Sequence, residues 1–145
     1  MPTLSLHSLG KIDIYYEEEG SGEPLVLVGG FTATVEVWGK LRPLLAGKYR
    51  VIMPDNRGSG RTRIEDDDGD RAPKRFAQDV LSLINALGLE QVHLMGSSMG
   101  GMIVQEFGVQ YPERLKSLIV SSSHFGGGEK IDSPPGVRET RKRGG

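Results

Sequence analysis

The stretch Gln91-Val92-His93-Leu94-Met95-Gly96-Ser97-Ser98-Met99-Gly100 decides how this chain is read. Residues 91–95 form a short, largely apolar run, as expected of a buried strand, and a helical pattern follows from about Ser98 to Gln110, ending ahead of Tyr111-Pro112. Between them lies Gly96-x-Ser98-x-Gly100. A serine lifted clear of a sheet must sit on a sharp, strained turn, where flanking side chains would collide with backbone; glycine removes them. Ser98 then stands at the carboxyl end of the strand and over a helix N-terminus, whose dipole and free amides favour developing negative charge. Those are the needs of a nucleophile, so Ser98 is the candidate catalytic residue, with Ser97 in support. Taken alone, the five residues also fit a glycine-rich turn in which Ser98 merely caps the helix.

The flanking sequence repeats the strand–helix alternation. Residues 4–16 read as two short strands around Ser8-Leu9-Gly10, a hairpin, and 17–22 as a polar turn. Leu25-Val26-Leu27-Val28 is an unbroken apolar run ended by Gly29-Gly30, suited to a parallel strand covered on both faces. Val37, Leu41, Leu44 and Leu45 repeat at helical spacing, with Gly47 as the stop. Residues 49–53 read as a second buried strand and 56–70 as a glycine- and charge-rich loop. Phe76, Val80, Leu83, Ile84 and Leu87 make a helical stripe closed by Gly88. Residues 115–121 form a last buried strand. The pattern predicts an α/β protein: a mostly parallel sheet with an antiparallel N-terminal hairpin and helices on both faces. Residues 1–124 read as one core domain, and 125–145, with Gly126-Gly127-Gly128 and Pro134-Pro135, as a flexible tail or the start of a cap.

Composition excludes several classes. A net charge of -1 over 145 residues gives no field to gather nucleic acid or an anionic membrane. With no cysteine there is no disulfide framework, thiolate nucleophile or cysteine-ligated metal. No apolar run approaches the ~20 residues of a membrane span, and no secretory signal is visible, so a cytoplasmic protein is expected.

With these residues in view the chain resembles the α/β-hydrolase superfamily, in the branch of small bacterial esterases, lactonases and related hydrolases. The strand and loop at 25–31 resemble the segment that supplies half of the oxyanion hole, with Gly29 where many members carry histidine. The resemblance implies that the backbone amides of Phe31 and Met99 bind the oxyanion. Pro54-Asp55-Asn56-Arg57-Gly58-Ser59-Gly60-Arg61-Thr62 resembles the family's Asp-x-Arg-Gly-x-Gly loop, where Asp55 and Arg57 look structural, and residues 111–120 resemble the helix end and sixth strand. The implied activity is attack of Ser98 on a small carboxylic ester or lactone through an acyl-enzyme, with no metal or organic cofactor. Serine rather than aspartate at 98 argues against a haloalkane dehalogenase.

A serine nucleophile needs a base, and the base needs a carboxylate. In the family these follow the nucleophile, after the seventh and eighth strands, whereas this chain is expected to stop after the sixth. Its histidines are His7, His93 and His124. His7 belongs to the first hairpin, and His93 lies within the strand before the nucleophile, where packing or hydrogen bonding is expected. His124, just past the last strand, is the candidate pocket residue or surrogate base. Glu106 lies roughly 12 Å down the helix axis from Ser98, too far to orient it, and Asp132 lies in the tail. The apolar strand 115–121 is expected to expose an edge that invites self-association or a complementary fragment. A non-catalytic binding protein and a truncated or split gene product remain alternative readings.

Overall fold

The computed structural model describes residues 3–6 and 12–124. The turn at 8–10, His7, Asp132 and the tail 125–145 lie outside the described residues. Strands β1 (Thr3–Leu6), β2 (Ile12–Glu19), β3 (Glu23–Val28), β4 (Tyr49–Pro54), β5 (Arg63–Ile64), β6 (Val92–Ser97) and β7 (Leu115–Ser121) form one sheet. Its order is β1-β2-β4-β3-β6-β7, with β5 paired to β2. β1–β2, β2–β4 and β2–β5 are antiparallel, and β3–β4, β3–β6 and β6–β7 are parallel, so the antiparallel N-terminal hairpin leads into the parallel strands expected. Helices α1 (Arg42–Ala46), α2 (Pro73–Ala86) and α3 (Met99–Gln110) flank it. Among the described residues, no helix is long and apolar enough to cross a membrane.

Period-two alternation divides the core between the two faces. Val26 and Val28 of β3 join Ile52, Val92 and Leu94 beneath α2 and α3, where Phe76, Val80, Leu83, Ile84, Ile103, Val104 and Phe107 are buried. Leu25 and Leu27 turn the other way, against Val51, Met53, Val35 and Trp38. The stripe read for α2 is the buried one, and Gly88 follows the helix at φ +70°.

Four readings are corrected. β2 runs on through Glu17, Glu18 and Glu19, where the polar pattern predicts a turn. Cations from β4 and α1 pair with these charges: Arg50 of β4 donates to Glu18 at 2.6 Å and Arg42 of α1 to Glu19 at 2.8 Å. The reversal comes at Gly20 and Gly22, with φ +85° and +112°. The helix over 37–47 is instead a 3₁₀ turn (Val35–Trp38) and the short α1. Val35 and Trp38 bury there, while Val37 and Leu44 are exposed. Gly47 ends α1 at φ -66°, without the left-handed geometry of a glycine stop. The loop 56–70 contains β5, too short for any periodicity. Finally, β7 is not a buried strand but half-exposed, in keeping with the apolar edge expected at 115–121. Its partner among the described residues is β6, and Leu118, Ile119 and Val120 are 39%, 43% and 42% exposed.

Candidate active site

β6 runs between β3 and β7 and delivers the chain to Ser98, whose φ of 58° and ψ of -121° few L-residues adopt. α3 starts at the next residue. Ser98 is exposed, although Gly96 and Gly100 on either side are buried. Both glycines are required by contact. A β-carbon on Gly96 would strike the Gly100 carbonyl and lie 2.8 Å from the Gly101 nitrogen. One on Gly100 would strike the Val28 carbonyl and lie 2.7 Å from the Gly29 oxygen. So the turn that exposes Ser98 is also packed directly against the end of β3.

That contact brings the loop after β3 to the Ser98 turn. A β-carbon on Gly30 would lie 3.2 Å from Ser98 Cβ and 3.6 Å from its Oγ. Gly29, Gly30, Phe31, Ala33, Val37, Trp38, Ser97 and Ser98 line an open cleft of about 400 Å³, within the range of small-molecule sites. Phe31, Ala33, Val37 and Trp38 give it apolar side chains, Ser97, Ser98 and glycine backbone give it polar groups, and Phe31 is 80% exposed. Met99 begins α3, where first-turn amides have no carbonyl four residues back.

The sequence model for the alpha/beta hydrolase fold matches residues 23–145. The chain belongs to the α/β-hydrolase family. It is 33% identical over 132 residues to the 2-hydroxy-6-oxo-6-phenylhexa-2,4-dienoate hydrolase of Comamonas testosteroni, covering 84% of this chain and 46% of that one. It is 33% identical over 112 residues to the pimeloyl-[acyl-carrier protein] methyl ester esterase of Aeromonas hydrophila subsp. hydrophila, covering 77% and 42%. A thermophilic esterase from Thermogutta terrifontis superposes with a TM-score of 0.79 at 32% identity, over 99% of this chain and 52% of that structure. The chain thus spans about half the length of the proteins it matches.

In this member of the α/β-hydrolase family the Ser98 turn is held from β7. The Ser98 N–H donates to the Ser121 carbonyl at 3.0 Å. The Ser98 carbonyl accepts from Gly101 N–H at 2.9 Å and from the Ser123 hydroxyl at 2.6 Å. Gln105 of α3 donates to the carbonyls of Gly101 and His124, both at 3.0 Å. The His124 main chain is therefore tied to the turn, while its ring is not part of the cleft lining given above. Ser121, Ser123 and Gln105 leave no local motif in the sequence: apart from the Gln105–Gly101 bond within α3, their bonds join groups 19–25 residues apart.

The loop after β4 holds the other half of the site. Asp55 Oδ1 accepts from Val35 N–H at 2.9 Å, and its Oδ2 from Arg61 N–H at 2.9 Å. Asn56 Nδ2 donates to the Gly29 carbonyl at 3.0 Å. Arg57 forks onto Asp79 of α2 at 2.7 and 2.9 Å, both side chains being buried. That fork raises the guanidinium pKa, while burial pushes the Asp79 carboxyl above its usual range. Asp55 and Arg57 therefore have the structural character expected of them; Asp79 was read only as part of a helix.

His93 lies well below this edge. Its Nδ1 is 2.7 Å from Ser117 Oγ, its Nε2 is 2.9 Å from Glu23, and its ring meets Tyr49 edge-on at 5.7 Å. This is the packing and hydrogen-bonding role anticipated for it. The same hydrogen bond, with Lys116, lowers the Glu23 pKa to about 2.

Proposed function

We infer that the protein is a serine hydrolase acting on a small carboxylic ester or lactone, with Ser98 as nucleophile. The observation that carries this is an exposed serine at positive φ, joining an inner parallel strand to a helix, in the wall of an open cleft that also carries Phe31, Val37 and Trp38. Ser98 Oγ attacks the acyl carbonyl carbon and the carbonyl oxygen becomes an oxyanion, bound by the amides of Phe31 and Met99. Collapse breaks the C–O bond to the alcohol, which leaves with a proton or, in a lactone, stays attached through the acyl chain, and leaves an acyl-serine; water then attacks its carbonyl carbon, the C–Oγ bond breaks, and the carboxylic acid departs from free Ser98. Two preorganised amides in such a site stabilise the oxyanion by several kcal/mol in total, at about 3 kcal/mol each. The proton of Ser98 needs a base, which relatives of this family carry later in the chain than the nucleophile. Among the described residues His124 is the surrogate candidate, since its main chain is already tied to the turn. Phe31, Val37 and Trp38 favour an apolar acyl or alcohol group. That the named relatives include a methyl ester esterase and a dienoate hydrolase agrees with acyl chemistry.

The test is labelling with a fluorophosphonate probe, followed by peptide mapping. Modification confined to the Ser98 peptide, and abolished in Ser98→Ala, is the expected result. An unlabelled Ser98 in folded protein favours a non-catalytic binding role. His124→Ala tests the surrogate base: labelling and aryl-ester hydrolysis unchanged in that variant eliminate it.

A further inference from the structure

The Gly29 peptide is the point where the two halves of the site touch. α3 packs on its carbonyl, and Gly30 and Phe31 follow immediately, so rotation about this glycine pair would swing the Phe31 N–H relative to Ser98. Glycines resist such rotation poorly. One buried side chain supplies the restraint. Asn56 is 7% exposed, and its Nδ2 donates to the Gly29 oxygen at 3.0 Å. A carbonyl only accepts, so the amide nitrogen is the atom that must face it. At the other end of the loop, Val35 N–H is taken by Asp55. Adjacent residues at the end of β4 thus hold both the entry and the exit of the segment that carries Phe31.

The geometry points to Asn56 as a positioning residue for acyl transfer: by fixing the Gly29 carbonyl it sets the direction of the Phe31 amide. This rests on the reading of Ser98 as nucleophile. Aspartate at this position would keep the shape but turn a carboxylate toward a carbonyl oxygen. It would donate again only when protonated.

The experiment compares wild type, Asn56→Ala, Asn56→Asp and Arg114→Ala. Arg114 bonds the carbonyls of Leu89 and Glu90, away from the cleft, and serves as a general destabilisation control. Fluorophosphonate labelling gives the maximal inactivation rate and Ki separately, and thermal melting gives Tm. Both Asn56 variants should lose roughly 10- to 100-fold in maximal rate, with Ki unchanged. The Asn56→Asp deficit should shrink as pH falls and its carboxyl protonates. Arg114→Ala should lower Tm and leave the rate alone. A wild-type rate in Asn56→Ala overturns the proposal. Backbone hydrogen exchange over residues 29–35 separates this from failure of the nucleophile reading. Exchange should speed up in both Asn56 variants and not in Arg114→Ala. If Ser98 never labels yet exchange rises, the nucleophile is wrong and the restraint stands. Unchanged exchange in Asn56→Ala overturns the restraint itself.

Discussion

The hydroxyl of Ser123 donates to the carbonyl oxygen of Ser98 at 2.6 Å, so a residue beyond β7 helps to hold the strained turn after β6. Positive φ at a serine persists only where surrounding contacts over-determine it. Ser123→Ala removes one of those contacts. The expected loss is about 1 kcal/mol in chemical denaturation, with slower fluorophosphonate labelling of Ser98. Labelling at the wild-type rate would show that the remaining bonds suffice.

Gly100 has no room for a side chain, because its neighbours are the Val28 and Gly29 carbonyls. Backbone cannot swing aside as a flexible side chain can. Gly100→Ala should therefore destabilise by about 3 kcal/mol, measured by urea titration, and lose Ser98 labelling. Gly69→Ala is a useful contrast. Nothing lies within 4 Å of a β-carbon there, so only the backbone strain of its φ of +78° remains.

Asp79→Ala leaves Arg57 buried without its carboxylate. Breaking a buried pair from one side typically destabilises by about 3–5 kcal/mol, far more than an exposed pair contributes. Calorimetry should show the lowered Tm. The double variant Asp79→Ala, Arg57→Met, which removes both charges, should recover part of it.

Glu23 gives the pH dependence a sign. Its folded pKa, about 2, is depressed from the ordinary 4.5 by hydrogen bonds from His93 and Lys116. A depressed carboxylate stabilises the fold above its unfolded pKa, and that contribution is lost as pH falls from about 4.5 toward 2. Glu23 is exposed, so the effect is small and screened by salt. The Tm difference between wild type and Glu23→Gln should be present at pH 6 and gone at the acid end. A difference that grows on acidification contradicts this.

Ile119 lies opposite Met95 on the half-exposed β7, on the face away from α3. The 145-residue chain by itself should show a concentration-dependent mass in light scattering, and Ile119→Lys should reduce it. A monodisperse wild-type monomer would refute the expected self-association.

The strand–turn–helix around Ser98 and the stripe of α2 were legible because their physics is local. A strained turn needs glycine two residues to either side, and a buried helical face needs apolar residues every three or four. Where two local patterns competed, periodicity misled. Val37 and Leu44 have helical spacing, yet Val35 and Trp38 bury instead, because a 3₁₀ turn re-phases the segment. Three consecutive glutamates, Glu17 to Glu19, carry the pattern of a turn, and stay in β2 because Arg50 and Arg42 lie beside them.

By itself, then, the order of residues determined the α/β alternation, the serine at the sharp bend and the glycines that permit it, since each follows from neighbours within a few positions. Only the tertiary structure decided what holds the site in shape. The Asn56–Gly29, Asp55–Val35, Ser123–Ser98 and Arg57–Asp79 contacts join residues 20–27 positions apart, and no spacing rule connects groups that only the folded sheet brings together.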